Sequence, residues 1–319
     1  GNLHQVAFAG LPYGKGTLSQ QYELHQLGTT RELVSGIPEI TAEQADQWFV
    51  AGGINYTEEP LTLTELTNSI SDSTLIYNPQ KYATATERAT RSELDYLSGT
   101  KTELDSIRLF LQDKEITYTA LEDRQVIEEY FHQSDNFSNV DVLHIGTHGF
   151  YLPAPKTDLE RERWGQLGSA GRQFQQIDRP LLRSGLMLSG ANQAWTKGEP
   201  YPNRMDGIWT AQEISELDLR NTRLAVLSAC KTAMGTVEGN EGVFGLQRAF
   251  KLAGVDKLLV SLWNVNDKAT NLYMQTFYKK WLAGGSAYQA YRATQLFFQQ
   301  HPNKKYRAAY YWAGFVLVE

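Results

Sequence analysis

With 319 residues, 41% of them hydrophobic and 21% charged, the chain can bury a full core, which excludes disorder for its bulk. A net charge of −6 leaves no basic footprint of the kind that phosphate backbones demand, so a general nucleic-acid binder is excluded. The single cysteine cannot close an internal disulfide, which excludes a disulfide-stapled secreted scaffold and fits a reducing, cytoplasmic compartment.

The first residues, Gly1-Asn-Leu-His-Gln, carry neither a basic nor an apolar signal region, and no run approaches the roughly 18 apolar residues that a membrane span needs. A soluble protein with no membrane contact is expected. The opening glycine reads as the start of an excised domain or a tag scar, with sequence upstream.

Residues 3–12 predict a short strand closed by a turn from Pro12 to Gly16. Tyr22 to Gly36 fits strand or helix equally, Thr41 to Val50 reads as helical, and Ser73 to Pro79 as a strand. The polar stretch 80–97 reads as a surface loop or solvated helix and as an internal joint, dividing the chain into parts of about 1–97 and 98–319.

From Ser98 the pattern is regular. Leu104, Ile107, Leu109 and Leu111 follow a threonine cap and predict an amphipathic helix. A strand at Ile116–Ala120, a helix at Asp123–His132 and a buried strand running from Val140 to His148-Gly149 come next. This alternation predicts an α/β fold with a mostly parallel sheet flanked by helices.

Residues 151–205 break the rhythm with prolines, glycines and a basic run containing Arg161, Arg163, Arg172 and Arg179. That run is a solvated surface loop or a site of self-cleavage. A helix capped near Thr210 leads into the apolar run Leu224–Leu227, which ends at the lone Cys230. Beyond it lie a helix at Val243–Ala253, a strand from Lys257 to Trp263 ending at Asp267, helices at Lys268–Leu282 and Ser286–Gln300, and an edge strand in Tyr310–Val318.

Two strand ends carry the chemistry. Carboxyl ends of parallel strands are where α/β proteins present reactive groups, and His148 lies 82 residues before Cys230. If the two strands are neighbours, an imidazole and a thiol form a base and its nucleophile. Gly149 lets a substrate approach the backbone and offers an N–H to a developing oxyanion. His144, mid-strand, reads as a packing or orienting residue.

Other chemistries fit poorly. The glycine-rich Gly235–Gly242 loop matches neither a P-loop nor a dinucleotide fingerprint. One cysteine and six scattered histidines show no paired metal-ligand spacing, so no metal or other cofactor is expected. There is no Gly-x-Ser-x-Gly elbow for a serine hydrolase.

Six ordered blocks carry a resemblance: Leu143-His-Ile-Gly-Thr-His-Gly149, Leu182-Arg-Ser-Gly-Leu-Met-Leu188, Asp206-Gly-Ile-Trp-Thr-Ala-Gln-Glu213, Leu227-Ser-Ala-Cys-Lys-Thr232, Glu241 to Phe250, and Ser261-Leu-Trp-Asn-Val-Asn-Asp267. Together they resemble the CHAT family of caspase-like peptidases, related to separase and caspases, and the similarity spans nearly the whole chain.

The resemblance implies a caspase–haemoglobinase-like fold and a cysteine endopeptidase, often carried behind tetratricopeptide repeats in bacterial proteins. His148 would be the general base and Cys230 the nucleophile, with N–H groups of Gly149 and Cys230 holding the oxyanion. Likeness to separase implies a basic P1 residue, arginine or lysine, bound by Asp267 with Trp263 as a pocket wall; the alternative for Asp267 is a helix cap. The chain has Ser-Ala-Cys-Lys-Thr where caspases have Gln-Ala-Cys-x-Gly, so caspase aspartate specificity does not transfer. The implied partners are a protein substrate and an activating partner or upstream repeat region that gates the site. A catalytically silent interaction module remains the alternative.

Overall fold

A computed structural model describes residues 6–28, 39–71, 93–151, 180–228, 241–263 and 265–319. Its centre is the run Gln47–Ile54, in which every residue after Gln47 is buried. Trp48 and Val50 enter one core and Phe49 and Ala51 the other, the period of two that a strand imposes. A strand covered on both faces shows a continuous apolar run instead of alternation. That is why Thr41–Val50 imitates a helix in sequence, and the expectation is corrected here: only Ala42–Gln44 forms a 3₁₀ turn before the strand begins.

The strands are β1 (Pro12–Tyr13), β2 (Gly16–Thr17), β3 (Gln47–Ile54), β4 (Thr117–Asp123), β5 (Val142–Ile145), β6 (Gly149–Tyr151), β7 (Ser184–Met187), β8 (Ile208–Thr210), β9 (Leu224–Leu227), β10 (Lys257–Ser261) and β11 (Phe315–Val318). Six of them form one sheet in the order β11-β10-β9-β5-β3-β4, parallel except for the antiparallel edge strand β11. The expected mostly parallel sheet and the expected edge strand are both present. β6, β7 and β8 make a small antiparallel sheet, and β1 and β2 a hairpin. A 3₁₀ turn at Phe8–Gly10 stands in the described part of 3–12, where a strand was expected, and the expected turn from Pro12 to Gly16 falls within that hairpin.

Besides short four-residue helices at Leu18–Gln21 and Lys304–Arg307, the helices of the described residues are α1 (Leu63–Ser71), α2 (Ser98–Asp113), α3 (Glu128–Phe131), α4 (Ala211–Ser215), α5 (Glu241–Ala253), α6 (Asp267–Leu282) and α7 (Ala287–Gln299). α2, α6 and α7 cover one face of the large sheet through Leu104, Ile107, Leu111, Tyr273, Phe277 and Tyr288. α3, α4 and α5 cover the other through Phe131, Ile214, Ala249 and Phe250. Helices therefore flank the sheet on both faces, as expected.

Local chemistry sets the ends. Thr210 caps α4 and forms a reciprocal capping box with Glu213, as its position implied. Two helix expectations need correction. Asp123–His132 shrinks to the four residues of α3, because Thr117–Asp123 is claimed by the β4 pairing with β3. Leu109 is 64% exposed, off the stripe that buries Leu104, Ile107 and Leu111.

β3 lies between β4 and β5, so the sheet takes a central strand from the part of the chain before residue 97. The two parts share one sheet. The expected strand at Ser73–Pro79, most of the 80–97 joint, the basic loop 152–179 and the first part of the Gly235–Gly242 loop lie outside the described residues.

Candidate functional site

β5 and β9 are parallel neighbours, in register from Val142↔Leu224 to Ile145↔Leu227, and the ladder closes with the Ser228 N–H donating to the Ile145 carbonyl at 2.9 Å. His148 and Cys230 each stand three residues beyond the last register pair. The condition that the sequence left open, adjacency of the two strands, is met. Cys230 itself lies in the stretch 229–240, outside the described residues.

His148 is 3% exposed, and its Nε2 lies 2.7 Å from the carbonyl oxygen of Asp95. A carbonyl only accepts, so Nε2 carries the proton and, in the neutral ring, Nδ1 keeps the lone pair. The carbonyl is itself positioned by its neighbour. Buried Asn192 accepts from the Leu94 N–H at 2.7 Å and donates to the Leu94 carbonyl at 3.1 Å, clamping the backbone one residue before Asp95.

A second set of bonds holds the His148 backbone. Its N–H donates to the Tyr56 hydroxyl at 3.3 Å, and that hydroxyl lies 3.0 Å from Thr147 Oγ1. Thr147 Oγ1 donates to the Met187 carbonyl, which leaves Tyr56 as the donor to Thr147. Burial raises the Tyr56 phenol above its ordinary range, so it keeps the proton this chain requires. The Tyr56 ring also lies against the imidazole, centroids 4.9 Å apart.

Gly149 begins β6. The Met187 N–H donates to the His148 carbonyl at 2.9 Å, and ladder bonds of an antiparallel pair fall on alternate residues, so the Gly149 N–H turns away from β7.

A small, partly open cleft lies beside these strand ends. Leu97, Gly99, Thr100 and Glu103 of α2 and its approach line one side, Asp267 and Thr270 of α6 the other, and Ser228 the end. Gly99 packs closely there: a β-carbon built on it would come within 3.2 Å of the Asp267 β-carbon. The segment that lends its Asp95 carbonyl to His148 thus continues, two residues on, into the cleft wall.

Asp267 is half-buried at the first position of α6 and lines this cleft. Asn266, not Asp267, is the cap, its side chain accepting from the Lys268 N–H at 3.2 Å. Trp263 is not among the residues that line the cleft. Its indole N–H donates to the Tyr310 carbonyl at 2.9 Å and its ring lies against Gly314, a packing task at the β10–β11 end.

Glu103 is 1% exposed. Its Oε2 accepts from Ser228 Oγ at 2.8 Å, and its Oε1 stands 3.1 Å from His144 Nε2. The other nitrogen of His144 lies 2.8 Å from the Tyr278 hydroxyl, whose pKa is pushed well above the phenolic range by burial and then by the Glu103 charge. His144 thus contacts side chains of two helices, α2 and α6.

One group of possible metal ligands occurs among the described residues, although their sequence spacing did not announce it. Ligand atoms of Glu128, His132 and Glu213 lie within 4.8 Å of one another. The second oxygen of Glu128 accepts from the Gly207 N–H at 2.8 Å, and that of Glu213 is held by Thr210. Nearby Asp206 is pushed up to about 7, first by burial and then by the Glu128 charge. The His132 pKa is raised by its bond to Glu128.

Asp95, Asn192 and Tyr56 went unread in the sequence, and Glu103 was given no role there. Only Glu103 left a trace there, because a stripe through Leu104, Ile107 and Leu111 passes over position 103 and puts a carboxylate on the apolar face.

The sheet, the two strand ends and the buried imidazole define a caspase-like α/β architecture. A family model described as the CHAT domain matches residues 1–319, and the chain belongs to that family. Among curated proteins it is similar to mouse tetratricopeptide repeat protein 28, 34% identical over 118 residues, and to the human protein of that name, 31% identical over 124 residues. These matches take in 35% and 37% of this chain but only 4% and 5% of the relatives. No helix among the described residues is long and apolar enough to cross a membrane.

Proposed function

We propose that the chain is a cysteine endopeptidase in which Cys230 and His148 carry out acyl transfer. The Cys230 sulfur attacks the carbonyl carbon of a peptide bond while His148 Nδ1 takes the thiol proton. The carbon–nitrogen bond then breaks, His148 returns the proton to the leaving amine, and a thioester remains for water to hydrolyse. N–H groups of Gly149 and Cys230 receive the oxyanion. The observation that carries this reading is the parallel pairing of β5 with β9, which sets both residues three positions past one register pair.

The substrate side chain before the cut is arginine or lysine. Asp267, half-buried, gives the neighbouring cleft a carboxylate, and no cation stands among its described lining residues. An activating partner or a repeat region outside this chain gates the site, a reading supported by the tetratricopeptide repeats in the relatives' names. The second reading, a catalytically silent interaction module, belongs to the same family.

Reporter peptides with arginine, lysine or aspartate at P1 test the proposal. Cleavage should favour the basic peptides and vanish in Cys230→Ala. Asp267→Asn should lower kcat/KM for the arginine reporter roughly 10- to 150-fold, the equivalent of about 1.5–3 kcal/mol for a charged hydrogen bond. Undiminished cleavage by Cys230→Ala would refute the dyad, and equal turnover of the aspartate peptide would refute the specificity.

A further inference from the structure

The last described backbone bond between the two strand ends is the Ser228 N–H on the Ile145 carbonyl, and after β5 the chain turns into β6. The tie continues through a side chain that neither strand supplies. Glu103 of α2 reaches β9 by accepting from Ser228 Oγ, two positions before Cys230. It reaches β5 through His144 Nε2, four positions before His148. His144 passes the connection to α6 at Tyr278.

The rest of the same helix face presses on the same strand ends. Thr100, one turn before Glu103, accepts from the Gly53 N–H at 3.0 Å through Oγ1, and a β-carbon on Gly146 would meet its β-carbon at 3.0 Å. Gly53 holds φ +61°, a conformation suited to glycine, and this lets the end of β3 turn toward Thr100.

A carboxylate here is costly where an aliphatic chain would pack as its neighbours Leu104 and Ile107 do, since an ionised group loses its hydration on burial. What it supplies in return is direction. An apolar side chain can neither accept from the hydroxyl of one strand nor set a charge against the imidazole of the next; one carboxylate does both, with Oε2 hydrogen-bonded to Ser228 and Oε1 in contact with His144. The Tyr278 hydroxyl lies 2.8 Å from His144 Nδ1, and His144 Nε2 stands 3.1 Å from Glu103 Oε1, a charge contact rather than an aligned hydrogen bond.

We propose that Glu103 is a positioning residue for the His148–Cys230 pair, a buried clamp that sets the separation of the β5 and β9 ends. Its catalytic consequence rests on the peptidase reading; the clamp does not. A misplacement of 1 Å between reacting groups can cost on the order of 100-fold in rate, so the clamp acts on turnover more than on substrate binding.

Cys230 is the chain's single thiol, so its alkylation by iodoacetamide, followed by mass spectrometry from pH 5 to 9, reports on the pair without any need for cleavage. Glu103→Gln keeps an acceptor for Ser228 but sets an amide or a neutral oxygen against His144. The expected result is a change of about threefold or more in alkylation rate at pH 7 and a fall in kcat of roughly 10- to 100-fold with KM little altered. Glu103→Asp, which keeps the charge, should restore part of both. Circular dichroism and the urea midpoint check the fold; if Glu103→Gln does not fold, Ser228→Ala removes one arm alone and should move alkylation in the same direction.

Wild-type alkylation profiles in folded Glu103→Gln and Ser228→Ala would overturn the clamp. So would a raised KM with unchanged kcat, which would make Glu103 a substrate-binding group instead of a positioning one. If the wild type cleaves no reporter, the peptidase reading fails while the alkylation comparison still decides the clamp.

Discussion

Tyr56→Phe isolates one atom beside the candidate base. The wild-type hydroxyl accepts from the His148 N–H at 3.3 Å and contacts Thr147 Oγ1 at 3.0 Å, and both neighbours are buried. Phenylalanine keeps the ring and its packing on the imidazole, so no side-chain-sized cavity opens. What changes is the His148 N–H, which loses its acceptor in a site that water does not reach. A buried donor left without a partner costs about 1–3 kcal/mol. The imidazole should stay in place, because Nε2 remains 2.7 Å from the Asp95 carbonyl. A lower urea midpoint with an unchanged slope, read by tryptophan fluorescence, is therefore expected, along with a loss of less than about tenfold in reporter kcat/KM. A midpoint equal to that of the wild type would refute the bonding chain from His148 through Tyr56 to Thr147.

Two other groups, buried Lys257 and half-buried Asp206, give sharp expectations. Lys257, 1% exposed, pairs with Glu319 at 2.5 Å, and the other oxygen of Glu319 lies 2.5 Å from His25 Nδ1. Lys257→Met should cost about 3–5 kcal/mol in urea unfolding by stranding the carboxylate, and adding Glu319→Gln should recover part of it; an unchanged midpoint in the single variant would sink this. Asp206, pushed up to about 7 by burial and Glu128, holds a proton in the native state that the unfolded chain releases near about pH 4. Its contribution to stability is full below about pH 4 and is lost as pH rises through about 7. Asp206→Asn, which can still accept from the Ile208 N–H, should flatten the fall of the urea midpoint across that window, and a slope like that of the wild type would contradict the assignment.

Much of the architecture could be read from local pattern. The long helices α2, α6 and α7 announce themselves because one face is apolar and the other is not, and the cap at Thr210 because its chemistry is local. β3 hid for the opposite reason: with Trp48 and Phe49 buried on opposite faces, its pattern has no polar side to give a period. The helix expected at Asp123–His132 failed because pairing with β3 claims the first of these residues, a contact no local window contains.

The candidate site divides in the same way. His148, Cys230 and Asp267 could be picked out by themselves, since residue type and position at a strand end are properties of the linear chain. Strand order alone decided that β5 and β9 are neighbours, that the Asp95 carbonyl from before α2 orients the imidazole, and that Glu103 spans both strands. Hydrogen bonds to a backbone carbonyl leave no mark on residue identity, and a clamp across 125 residues of separation exists only once the sheet has brought its ends together. Sequence alone determined which side chains could do the chemistry; the tertiary structure decided which of them meet.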